Sequence, residues 1–176
     1  MVADRSDLFA RLCREHGGKT LVIELARGVH VVQPMATFHI AGGIEHTLEV
    51  ADTYSSAYCE AGFSIVRRKI EFDLYAARRQ SLDALYVEWH GRIEVGTDRL
   101  GNLRLLCEQS GAHLSRNAMS RTHRRFITVR EANEAGLQAR VGVLQACLAA
   151  DGWVIERERW EGVAFDSNLA LDQGWL

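Results

Sequence analysis

Four stretches of the chain alternate apolar and polar residues with the period of a β-strand, and each carries ionisable or hydroxyl groups in its polar register. The sets are Thr37 and His39; Arg67, Lys69 and Glu71; Glu88, His90 and Arg92; and Thr128 with Arg130. Residues two apart on a strand share a face, so each set projects from one side of a sheet while its apolar alternates enter a core. The pattern commits the chain to a sheet with one packed side and one charged side.

With 176 residues and 47% hydrophobic content, the chain is sized for a single domain over 1–176. Ser6 to His16 places Leu8, Phe9, Leu12 and Cys13 on one stripe and predicts a short helix. Lys19 to Leu25 and Val29 to Val32 predict a hairpin, with Gly28 where an unusual φ is needed and Pro34 separating it from the next strand.

From there the periodicity predicts a strand at Met35 to Ala41, a helix at Glu45 to Ala61 and a strand at Phe63 to Phe72. After a polar connection with Arg78, Arg79 and Gln80, it predicts a strand at Ala84 to Val95 and a helix at Asp98 to Gln109. A loop at Ser115 to Thr122 then leads to a strand at Arg124 to Arg130. This β-α-β-β-α-β order is that of an α+β, ferredoxin-like core over 35–130. A helix at Ala135 to Ala150 and a strand to about Val163 form a C-terminal α-β extension over 134–164. Ferredoxin-like ordering puts Met35 to Ala41 beside Ala84 to Val95, and so brings His39 near His90.

Such a face suits a small phosphate-bearing ligand. Arginine presents a fork of donors, lysine a point charge, and histidine exchanges a proton near neutral pH. His39 and His90 are the candidates for proton transfer; Arg67, Lys69, Glu88, Arg92, Thr128 and Arg130 are the candidates for ligand binding. Phosphoester or nucleotide-like chemistry is the expectation. The alternative is a non-enzymatic small-ligand-binding or self-associating module, with the face solvated or covered by the hairpin or by the helix at Ala135 to Ala150. A homo-oligomer is compatible with either.

A net charge of −2 and a pI near 6.4 give no bulk basic field, and only Tyr86 and Phe126 are outward aromatics, so no long nucleic acid is expected. The basic stretch from His113 to Arg125 reads as a loop reaching over the sheet edge, and Glu156 to Trp160 as a solvated edge. Cys13, Cys59, Cys107 and Cys147 fall in separate helical segments without a close ligand pair and are expected as small buried hydrophobes of a reducing, cytoplasmic setting. A metal site from His39, Glu88 and His90 lacks a ligand motif; no metal or cofactor is assigned, and no membrane partner is expected. The tail around Trp175 is rich in turn formers.

His113-Leu-Ser115 resembles one copy of the H-x-[ST] motif of the two-histidine phosphoesterases, which process cyclic phosphates and RNA ends with two such motifs. His39-Ile-Ala41, His46-Thr-Leu48 and His90-Gly-Arg92 all differ at the third position. More broadly, Arg67 to Glu71, His113 to Ala118, Arg125 to Arg130 and Asp166 to Leu176 are similar to segments of a group of bacterial proteins without an assigned activity.

Overall fold

The computed structural model describes residues 5–77, 83–172 and 174. Arg78, Arg79, Gln80 and Trp175 lie outside these residues. Helix α1 (Arg5–Glu15) precedes the hairpin β1 (Lys19–Leu25) and β2 (Val32–Thr37). Next come α2 (Ile44–Glu60), β3 (Lys69–Asp73), the single turn α3 (Leu74–Ala77), β4 (Tyr86–Glu94) and α4 (Leu100–Gln109). The chain continues through β5 (His113–Asn117), β6 (Arg124–Glu131), α5 (Glu134–Ala150) and β7 (Ile155–Asp166) to a 3-10 turn at Leu169–Asp172. Among the described residues, no helix is long and apolar enough to cross a membrane.

The strands form one antiparallel sheet in the order β2-β1-β5-β6-β4-β7-β3. The architecture is α+β, and its order is not ferredoxin-like. The reason lies at Pro34. The segments expected as the end of a hairpin and the start of a new strand are one strand, β2, in which Pro34 pairs with Val22. An edge strand tolerates proline because one row of its amides faces away from the ladder. The first strand of the expected core is thereby spent on the hairpin, at the far edge from β3. A second departure is β5, a strand where a loop was expected, which enters between β1 and β6. Third, residues 63–68 carry no strand, so β3 is shorter than Phe63 to Phe72. The charged segment Glu156 to Trp160 lies in the first half of β7, paired with β4 but not with β3, whose partners begin at Glu161; Glu156 to Arg159 are exposed, so the segment is the solvated edge that was expected.

One face of the sheet is packed by α4 and α5. Leu103 and Cys107 of α4, with Leu137, Val141, Leu144 and Leu148 of α5, close over Val87, Trp89, Ile93, Leu114, Ile127 and Val129. These α5 residues are spaced three and four apart, the period that keeps one stripe on the sheet, and Asn133 caps the helix by accepting from the Gly136 amide at 2.9 Å. Trp89 lies over Gly91, where a Cβ would meet the indole at 2.2 Å. The large ring therefore fixes a residue without a side chain two positions along β4. At the other end, Phe9, Tyr54, Tyr58, Phe38 and Phe63 join α1 and α2 in a separate aromatic cluster.

Two further expectations are met in part. Gly28 in the hairpin has φ +114°, the left-handed side where a side chain is strained. All four cysteines lie in helices as free thiols, but only Cys13 and Cys107 are buried, while Cys59 and Cys147 face solvent.

Candidate functional site

The face opposite α4 and α5 carries the polar registers of β3, β4 and β6, as alternation requires. Its centre is Glu88, 1% exposed, on β4. Strand pairing sets Glu88 opposite Arg130 of β6 and opposite Glu161 of β7. Arg130 Nε donates to Glu88 Oε1 at 2.8 Å, and Lys69 Nζ donates to Oε2 at 2.6 Å. Burial alone would raise the Glu88 pKa; His90, Lys69 and Arg130 outweigh it and hold the carboxyl well below the usual range.

His90, two residues along, is oriented from both sides. Its Nδ1 lies 3.0 Å from Thr128 Oγ1, while Nε2 lies 3.1 Å from Glu161 Oε2 and 3.4 Å from Glu88 Oε2. Burial lowers its pKa, and the two carboxylates more than reverse that, taking it up to about 9. The imidazole is therefore charged at neutral pH. A protonated ring between two carboxylates is a poor proton acceptor, whatever its position.

The segment after β7 closes the network. Arg67 makes a two-pronged pair with Asp166 and donates to both Asp172 oxygens at 2.9 and 2.8 Å. Arg130 reaches the same Asp172 at 2.6 Å, so one carboxylate from the terminal 3-10 turn ties the segment before β3 to β6. Tyr86 lies beneath, donating to Asp166 at 2.6 Å with the Arg130 guanidinium 4.1 Å above its ring. The cover over this face is thus the chain's own 3-10 turn, with Asp172 2% exposed. Helix α5 lies on the other face, and the hairpin only extends the sheet.

The residues expected to act together separate into three groups. Arg67, Lys69, Glu88, His90, Thr128 and Arg130 are assembled in one network. Arg92 stands apart, paired with Glu156 at 3.0 Å, which also takes Arg124 at 3.4 Å. Thr37 donates to the Lys19 carbonyl at 3.3 Å, and His39 is exposed just beyond β2. Three strands intervene between β2 and β4, a separation of roughly 19 Å at about 4.8 Å per strand. His39 and His90 do not meet over one small substrate.

The imidazole that does share this face is His113, expected in a loop but placed on β5. It pairs with Thr128 across the sheet, and Thr128 pairs with His90 on the other side. Burial, with a smaller push from Arg27, lowers the His113 pKa to about 4, so this 2% exposed ring is neutral where His90 is charged. Beside Thr128 opens a cavity of about 770 Å³, lined by Arg27, Tyr86, Thr128, Arg130, Arg140 and Leu169 among others. Arg140 is bound to Glu131 and donates to the Gly111 carbonyl at 2.9 Å. Arg27 is more loosely held: it donates to the Ala112 carbonyl at 3.3 Å, and Glu108 stands 4.0 Å away.

Sequence reasoning missed Glu161, Asp166, Asp172 and Arg27; it singled out His113 in a basic loop and Tyr86 as an outward aromatic, without joining either to this network. Glu161 continues the alternation of Glu156 to Trp160, but it is the first residue of β7 that also pairs with β3, and alternation alone does not mark where an edge becomes interior. Asp166 and Asp172 sit among turn formers, where no periodicity announces which face they will cover. No family model, curated protein or solved structure matches the chain.

Proposed function

We propose that the chain is a small-ligand-binding protein whose cavity beside Thr128 accepts an anionic, phosphate-bearing molecule. The observation that carries this reading is the cavity itself. Its volume of about 770 Å³ falls in the range of small-molecule sites, roughly 300–1,000 Å³. Its lining combines Arg27 and Thr128 with the apolar Leu85 and Leu169. That mixture fits a ligand with one charged group and a flat or apolar body.

The assignment of binders changes accordingly. Arg67 and Lys69 are committed to carboxylates at short range, so an incoming anion has to compete with Asp166, Asp172, Glu71 and Glu88 for them. Among the described residues, the carboxylate paired with Arg27 is Glu108 at 4.0 Å, so Arg27 supplies the charge at lower cost. Arg130 stays clamped and acts as a wall.

The test is a thermal-shift titration of wild type and Arg27→Gln with inorganic phosphate, AMP and a sugar phosphate. A ligand that binds only the folded state raises the melting temperature by mass action, in a dose-dependent way. We expect a rise in wild type with at least one phosphate and its loss in Arg27→Gln. No rise with any of the three, or an equal rise in the variant, contradicts the reading.

A second reading, proton transfer on the bound ligand, is favoured by one arrangement: the neutral His113 and the charged His90 flank Thr128 on the same face. Groups whose pKa values are driven apart are matched to base and acid roles. It predicts hydrolysis of a chromogenic phosphodiester by wild type, lost in both His90→Gln and His113→Gln. Hydrolysis unchanged in either variant, or absent from wild type, leaves the protein a binder only.

A further inference from the structure

We infer that Glu71, His90 and Glu161 form a binding site for a divalent transition-metal ion, distinct from the cavity beside Thr128. One potential ligand atom from each of the three lies within 4.8 Å of the others. They come from three consecutive strands, β3, β7 and β4, so the sheet ladder itself sets their spacing. Two carboxylates and an imidazole form a mixed oxygen and nitrogen set suited to manganese, iron, cobalt or zinc.

Three details of the surroundings favour an ion there. First, the other ring nitrogen of His90 is held by Thr128 at 3.0 Å, the outer contact that metal-binding histidines use to fix their ring. That contact directs Nε2 at Glu161, and this nitrogen is shielded from solvent and has no well-aligned hydrogen-bond partner. Second, Glu161 divides its oxygens: Oε1 accepts from Arg159 at 3.1 Å, while Oε2 faces His90 Nε2 across 3.1 Å, where an ion would take the place of the imidazole proton. Third, Glu71 is 38% exposed in its side chain, which gives the ion a path from solvent and leaves room for coordinated water. The existing occupant of the carboxylates is Lys69, whose ammonium lies 2.7 Å from Glu71 and 2.6 Å from Glu88. An incoming ion has to take Glu71 from Lys69, which keeps Glu88 as its partner, and to displace the proton of His90, so binding releases a proton and strengthens as pH rises. The set differs from the His39, Glu88 and His90 combination considered from sequence: only His90 is common to both.

The experiment uses the full chain, stripped with a chelator and titrated with manganese(II) while the free ion is followed by electron paramagnetic resonance. Manganese is chosen because it has little affinity for the exposed thiols of Cys59 and Cys147. Wild type is expected to bind one ion per chain, with a dissociation constant in the micromolar range. Glu71→Gln and Glu161→Gln should each weaken binding at least tenfold, and the exposed His30→Ala should leave it unchanged. Circular dichroism of each variant confirms that it is folded, and Glu71, being exposed, is the variant least able to disturb folding. Absence of binding to wild type at millimolar manganese overturns the site, as does undiminished binding in folded Glu71→Gln. Neither outcome depends on phosphate, so failure here is separable from failure of the ligand reading.

Discussion

Replacing Glu88 with glutamine removes one negative charge and leaves Lys69, His90 and Arg130 facing it inside the sheet. Breaking one side of a buried ionic network costs on the order of 3–5 kcal/mol, because the remaining charges lose their partner without regaining water. Arg92 and Glu156 pair on the same face at 3.0 Å, but their side chains are 29% and 26% exposed. Arg92→Ala should cost less than about 1 kcal/mol, as an ordinary outer pair does. Urea unfolding of both variants measures the contrast; equal costs would mean that Glu88 is not central. His113 makes a separate prediction about pH. Its folded pKa is depressed to about 4 from an ordinary value of 6.5, so the folded state binds fewer protons between those values. The stability it contributes is fully present above pH 6.5 and is lost as pH falls through 4. The full loss is on the order of 3 kcal/mol. Between pH 6.5 and 5.5, before ordinary carboxylates titrate, wild type should lose stability to a greater degree than His113→Phe; parallel curves would refute the assignment.

The helices and the polar registers were legible because each rests on local periodicity. Leu137, Val141, Leu144 and Leu148 announced the buried stripe of α5, and Glu88, His90 and Arg92 announced the outward register of β4. The order of strands was not legible, and Pro34 shows why. A proline reads as a break unless the strand is at an edge, and which strand is at an edge is a property of the whole sheet. The same limit hid β5. His113-Leu-Ser115 is too short to show alternation, although its three residues are all buried once it pairs with β6. The sheet order predicts a gradient in protection. β4 has a partner strand on each side, whereas β2 is paired only with β1. Hydrogen exchange should therefore be slowest in β4 and β6 and fastest among strands in β2. Comparable exchange in β2 and β4 would contradict the order.

In the molecule as a whole, the two faces have opposite jobs. One buries Trp89, Ile127 and the α4 and α5 stripes; the other balances cations against carboxylates drawn from β3, β4, β6, β7 and the final 3-10 turn. That balance explains why a face which reads from sequence as an anion site is largely satisfied from within. Asp166 and Asp172 occupy the arginines that the sequence offers to phosphate. The proposed binding therefore falls at the margin of the network, where Arg27 and Thr128 border the cavity. The direct test is a titration of isotope-labelled protein with AMP, following backbone amide signals by NMR. Saturable shifts are expected to concentrate at Arg27, Tyr86, Gly111 and Thr128, with His39 and the rest of the β2 edge unmoved. Shifts centred on the β2 edge, or no shifts at millimolar AMP, would contradict the proposed binding.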